Sequence, residues 1–147
     1  AGDALCVVFL DIDHFKRIND THGHASGDRV LKGVAETLNR ISDSRCHVAR
    51  HGGEEFAVLF RALSPQKAWE RLDRARAEIS ERRLVNRATD MPFGRITFSG
   101  GIADVFAYTS KSDALRAADE ALYAAKQSGR NLILLAGQEP PPMQDAA

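Results

Sequence analysis

Cys46-His-Val-Ala-Arg-His-Gly-Gly-Glu-Glu-Phe-Ala-Val-Leu-Phe60 is the stretch that decides the fold. Two short runs of strand composition, Cys46 to Arg50 and Phe56 to Phe60, are separated by His51-Gly-Gly-Glu-Glu55. Glycines at the turn permit positive φ, and the whole reads as a β-hairpin. Upstream, Leu5-Cys-Val-Val-Phe-Leu10 is a continuous apolar run that suits a strand buried on both faces, and it stops at Asp11-Ile-Asp13. His14 to Asp20 is a short predicted helix, ended by the Gly-rich polar stretch Thr21 to Gly27. From Asp28, with that residue or a neighbour as N-cap, Val30, Leu31, Val34, Leu38 and Ile41 keep helical spacing.

Downstream of the hairpin, Ser64-Pro65 opens a helix in the N-cap and N1 order, with Ala68, Leu72, Ala75 and Ile79 as its buried stripe and its Arg and Glu residues facing water. A polar connection from Leu84 to Gly94, containing Pro92, leads to a strand from Arg95 to Ala103. Ser110 to Ser128 is helical, with Ala114, Leu115, Ala118, Ala121, Leu122 and Ala125 facing inward and Gly129 as its C-terminal cap. Asn131 to Leu135 is the last strand. The order βααββαβαβ predicts an α+β domain with a ferredoxin-like core: a central, mostly antiparallel five-stranded sheet flanked by helices. Residues 1–136 read as one domain, and 137–147, with three consecutive prolines, as a disordered tail.

The chain has 147 residues, the size of one domain, with 44% hydrophobic and 27% charged residues. Twenty basic residues balance twenty acidic ones. A net charge of zero argues against holding a nucleic acid by a broad field, so a bound phosphate needs a local constellation. No apolar run approaches the roughly twenty residues of a membrane span, and the first residues given do not carry a signal-peptide pattern. Cys6 and Cys46 both lie in strand-like stretches without metal-ligand spacing and read as buried free thiols, a disulfide between them staying open.

Three clusters carry chemistry. The first, Asp11-Ile-Asp13, puts carboxylates where a buried strand meets a loop, a place suited to a hard cation; capping or turn chemistry accounts for them equally well. At the hairpin tip, Gly52-Gly-Glu-Glu55 lets a phosphate approach the backbone, and a bound metal would relieve the repulsion between adjacent acids; a solvated charged turn is the other reading. Lys126 and Arg130, four apart at a helix end, put two cations on one side, or simply complement the helix dipole.

Together, Asp11-Ile-Asp-His-Phe-Lys-Arg-Ile-Asn-Asp-Thr-His-Gly-His-Ala-Ser-Gly-Asp28, Gly52-Gly-Glu-Glu-Phe56 and Ala118-Asp-Glu-Ala-Leu-Tyr-Ala-Ala-Lys-Gln-Ser-Gly-Arg-Asn131 resemble the GGDEF-domain diguanylate cyclases, in the GGEEF form of the signature. The resemblance covers roughly residues 5 to 135. It implies condensation of two GTP into cyclic di-GMP with release of pyrophosphate, two Mg²⁺ (or Mn²⁺) per active site, and a transient homodimer in which each domain holds one GTP. It implies Asp11, Glu54 and the Ile12 carbonyl as metal ligands. Asn19 and Asp28 would bind guanine, with His24, Gly52, Gly53 and Glu55 also in the substrate site. Lys16, Lys126 and Arg130 would offset phosphate charge, and Glu54 would accept the proton of the attacking hydroxyl.

The resemblance further implies a bacterial, cytoplasmic second-messenger enzyme in a longer chain with an upstream sensor, membrane anchoring of that chain staying open. The domain itself would touch neither nucleic acid nor membrane. The family's usual Leu-Thr-Gly-Leu-x-Asn-Arg segment does not stand among the few residues given before the first strand, and lower activity or stability is expected without it. The Arg-x-x-Asp product-inhibition motif is replaced by Asp43-Ser-Arg-Cys46, so feedback inhibition is expected to be weak or absent. Two other classes compete: a GTP-binding regulatory module with little turnover, and a nucleic-acid polymerase palm, which lacks a basic groove here.

Overall fold

The computed structural model describes residues 4–82, 85–86, 91–92 and 94–137. Strand β1 (Leu5–Ile12) leads into helices α1 (Phe15–His22) and α2 (His24–Ile41), followed by the hairpin β2 (Cys46–Arg50) and β3 (Glu55–Arg61). Then come α3 (Pro65–Glu81), a short antiparallel pair β4 (Val85–Asn86) and β5 (Met91–Pro92), β6 (Phe98–Asp104), α4 (Lys111–Gln127) and β7 (Ile133–Leu135). The main sheet has the order β2-β3-β1-β6-β7. Every pairing in it is antiparallel except β6 with β7. This is the expected ferredoxin-like arrangement with one further strand.

β1 lies at the centre of the sheet and is buried on both faces, as its unbroken apolar run predicts. Cys6, Val8, Leu10 and Ile12 join the main core with residues of α1, α2 and α3. Val7, on the alternate side, packs with Ala103, Ala114 and Ala118, so α4 covers the opposite face. Burial pushes the Cys6 thiol up to about 11, and Asp104 adds to the shift; Cys6 and Cys46 are both free. No described helix is long and apolar enough to cross a membrane.

Gly101 of β6 sets how closely α4 can lie on the sheet. A Cβ there would stand 2.2 Å from the Ala118 carbonyl oxygen and 2.4 Å from the Leu122 nitrogen, both backbone atoms. Gly101→Ala is therefore expected to destabilise the fold by about 2–3 kcal/mol in urea unfolding, because helix or sheet must shift. A midpoint equal to wild type would show that α4 is free to move.

Several predicted boundaries move, each for a local reason. α2 begins at His24, so Asp28 lies in its second turn and is not the N-cap. The break is the single residue Gly23 (φ 88°), whose N–H donates to the Asn19 carbonyl at 2.8 Å, closing α1 as α2 starts. β6 starts at Phe98 instead of Arg95, because its partner β1 ends at Ile12, directly opposite Phe98. Asn131 has φ 49° and cannot begin the last strand. Leu115, expected inward, is 44% exposed. Part of the predicted connection between α3 and β6 instead pairs as β4 and β5, and the tail beyond Gly137 lies outside the described residues.

Candidate active site

Asp11 is the penultimate residue of β1, in register with Glu55 of β3 on one side and Ser99 of β6 on the other. Alternation turns its side chain to the α4 face, where it is almost fully buried. There Lys126 of α4 donates to Asp11 Oδ2. Asp11 Oδ1 is buried and has no hydrogen-bond partner among the described residues. Glu54, just before β3, accepts from the Ile12 N–H through its carbonyl at 3.2 Å, which brings the two acids together. Burial, then the neighbouring Asp11 charge, pushes the Glu54 carboxyl above its ordinary value, while Lys126 pulls the other way.

Two close carboxylates, one with an orphaned buried oxygen, fit a hard divalent cation. Among the described residues no group of three or more His, Cys, Asp or Glu side chains is arranged to hold a metal. A cation on Asp11 and Glu54 would complete its shell from backbone, ligand or water oxygens.

Asp13 has a different fate from Asp11. Its buried carboxylate accepts from Ser99 Oγ and Thr97 Oγ1, each at 2.7 Å, and from the Asn131 N–H at 2.9 Å. For Asp13 the turn reading holds, since its oxygens are engaged in tying the end of β1 to β6 and to the turn after α4. In that turn Gly129, Arg130 and Asn131 have φ of 115°, 65° and 49°. A left-handed conformation costs most non-glycine residues about 1–2 kcal/mol and asparagine less, so Arg130 above all requires outside support. Arg130 is exposed, and its guanidinium donates to the Lys126 carbonyl at 3.3 Å.

The hairpin tip differs from its expected conformation: neither Gly52 nor Gly53 has positive φ. A Cβ on Gly53 would meet nothing within 4 Å, and one on Gly52 would reach only Glu55. The glycines leave open space next to Glu54 instead of supplying a special backbone geometry. Arg50 donates to the Gly53 carbonyl at 2.8 Å and steadies the tip. Glu55 is half-buried at the start of β3.

Asn19 lies in α1 and packs against Gly27 of α2, where a Cβ would fall 1.8 Å from Asn19 Oδ1. That oxygen is buried without a partner among the described residues. Lys16, His24 and Asp28 are exposed on the same helical pair. None of these three shares a hydrogen bond or ion pair with Asp11, Glu54 or Lys126 among the described residues.

The structure thus draws Asp11, Ile12, Glu54 and Lys126 together. Thr97 and Ser99 carry no role in the sequence, and Arg76, expected to face water with the other charged residues of α3, instead has a side chain only 19% exposed. Polar residues alternating along a buried strand were the available signal for Thr97 and Ser99.

A ferredoxin-like sheet with two acids and a lysine meeting at the end of its central strand, beside a side-chain-free hairpin tip, defines a palm-like α+β domain. The chain belongs to the GGDEF domain family of diguanylate cyclases, whose model, Diguanylate cyclase, GGDEF domain, matches residues 1–132. It is 41% identical over 135 residues to diguanylate cyclase DgcP of Pseudomonas aeruginosa, covering 92% of this chain and 20% of the relative. With diguanylate cyclase A of Treponema denticola it shares 36% over 134 residues, 90% of this chain and 35% of that protein. The chain therefore spans about a fifth to a third of these relatives.

Among solved structures, the GGDEF domain of DgcB from Caulobacter crescentus, in complex with c-di-GMP, superposes with a TM-score of 0.88 at 40% identity, covering 92% of this chain and 79% of that one. The active GGEEF domain of a diguanylate cyclase from Vibrio cholerae gives 0.83 at 28% identity, covering 93% and 85%.

Proposed function

We propose that this chain is the catalytic domain of a diguanylate cyclase that condenses two GTP molecules into cyclic di-GMP. The observation that carries this reading is the Asp11–Glu54 pair, with its unpartnered buried oxygen, facing Lys126 beside the open glycine tip. Asp11, Glu54 and the Ile12 carbonyl would hold Mg²⁺ or Mn²⁺, two ions per site. Such ions, when bound, lower the pKa of an attacking hydroxyl and shield phosphate charge.

The chain's own residues do the rest. Asn19 and Asp28 hydrogen-bond the guanine, and His24 flanks it. Phosphates lie along Gly52 and Gly53, where no Cβ obstructs them. Lys16, Lys126 and Arg130 offset their charge. The 3′-oxygen of one GTP forms a bond to the α-phosphorus of the other, the α–β phosphoanhydride bond breaks, and pyrophosphate leaves. Glu54 receives the hydroxyl proton. Each domain holds one GTP, so two copies face one another, and the step repeats to close the ring. The domain works on the cytoplasmic side, under a sensor elsewhere in a longer chain.

Incubating the protein with GTP and Mg²⁺, then separating nucleotides by chromatography, tests this against a Glu54→Ala control. Cyclic di-GMP from wild type alone supports the reading. GTP retained without turnover would replace it with a regulatory nucleotide-binding module.

Product inhibition is expected to be weak or absent. The Asp43 carboxylate is engaged by Arg45 at 3.0 Å and Arg71 at 3.2 Å, and these hydrogen bonds hold it well below the usual carboxylate range. An acid paired in this way replaces the expected arginine, and Cys46 replaces the expected aspartate. Calorimetry should detect no tight product binding here. Tight binding abolished by Arg45→Ala would overturn the prediction.

A further inference from the structure

We infer that Arg76 of α3 is a positioning residue that fixes the turn carrying Arg130 and, through it, the two cations facing the phosphates. This rests on the proposed function, since it concerns how the same site holds its nucleotide.

The turn needs a holder. Three successive residues, Gly129, Arg130 and Asn131, have positive φ, and only one of them is a glycine. The Arg130 N–H reaches the Ala125 carbonyl at 3.1 Å, which ties the turn to its own helix. Asn131 is grasped from two other elements. Its N–H donates to Asp13 Oδ2 at 2.9 Å, and its side-chain oxygen accepts from Arg76 Nη1 at 2.9 Å. Arg76 is in turn locked by Asp73, one helical turn earlier, through Nε at 2.7 Å.

Arg76 is built for this place. Its side chain is only 19% exposed, whereas the neighbouring Arg74 is open to solvent. A guanidinium presents Nε and Nη1 in a rigid fork, so it can hold a carboxylate and an amide oxygen together; a lysine can make only one such bond well. Lys126 lies in the last turn of α4, and Arg130 is the middle residue of the turn that follows it. Lys126 reaches Asp11, and Arg130 reaches back to the Lys126 carbonyl. Releasing Asn131 lets the left-handed turn relax and carries both cations away from the Asp11–Glu54 pair. Groups that must meet a triphosphate lose effect steeply when misplaced by even about 1 Å.

The test measures GTP affinity by calorimetry with Ca²⁺, together with amide hydrogen exchange at Asn131, in wild type, Arg76→Ala, Arg76→Lys, Arg130→Ala and the Arg76→Ala/Arg130→Ala double variant. Arg76→Ala is expected to weaken GTP by on the order of tenfold. Arg76→Lys should recover part of that loss, and Arg76→Ala should add little once Arg130 is already alanine. Exchange at the Asn131 amide should quicken in Arg76→Ala. Unchanged affinity in Arg76→Ala, or a full additional loss in the Arg130→Ala background, overturns the inference. If wild type binds no GTP, the proposed function fails, and Asn131 exchange still decides the clasp: faster exchange in Arg76→Ala supports it, unchanged exchange refutes it. Should Arg76→Ala fail to fold, Arg76→Lys answers the same question through partial loss of affinity and intermediate exchange.

Discussion

Asp11→Asn is expected to lower cyclic di-GMP formation about a thousandfold while the protein stays folded. The amide keeps the shape of the carboxylate and removes its charge. One of the two acids suited to a cation is then gone, and Lys126 loses its anionic partner. The effect on stability is small because two changes oppose each other. Lys126 is left unpaired, but its side chain is 29% exposed and can turn its ammonium to water. Removing the Asp11 charge also relieves the repulsion that helps push Glu54 up. A net change within about 1–2 kcal/mol follows. Turnover and thermal midpoint should be read on one sample. Near-normal turnover would remove Asp11 from the chemistry, and a collapsed midpoint would make it a structural residue.

Asp13→Ala, two residues on, is expected to do the opposite damage and destabilise the fold by roughly 3–5 kcal/mol. Alanine strands three donors: the Ser99 hydroxyl, which is fully buried, the Thr97 hydroxyl and the Asn131 N–H. It also releases one support of the left-handed turn. Asp13→Asn should recover much of the loss. The amide oxygen can still accept from Asn131, and a serine or threonine hydroxyl can rotate to accept from the amide nitrogen. Urea unfolding of the two variants checks this. Equal losses for alanine and asparagine would mean that the charge of Asp13 matters more than its hydrogen bonds.

The contrast between these two acids marks where sequence reading stops. Asp11 and Asp13 flank one isoleucine and look equivalent in the chain, yet one has an oxygen without a partner and the other is saturated. Only residues far along the chain distinguish them, since Thr97, Ser99 and Asn131 bond to Asp13 at separations of 84, 86 and 118. Features with local causes were legible. Ser64 caps α3 by accepting from the Lys67 N–H with Pro65 at the helix start, Gly129 ends α4, and the hairpin pairs in simple register. The start of α2 was not legible, because His24 has no capping side chain before it and no acid follows in the first turn. That boundary comes from packing: Gly27 lets the α1 residues Phe15 and Asn19 approach. Arg76 was hidden for a related reason. It is one of several arginines on α3, and nothing nearby in sequence says that it reaches Asn131.

The single tryptophan of the chain, Trp69, is half-buried on α3, and its indole N–H donates to the Ile133 carbonyl of β7 at 2.8 Å. β7 follows the turn that bears Arg130, and α3 also supplies Arg76 to that turn. The protein therefore contains its own optical probe at the joint between α3 and the strand leaving the site. Its emission colour depends on whether that indole stays bonded and shielded, so nucleotide-induced movement at the joint can be followed without attaching a label.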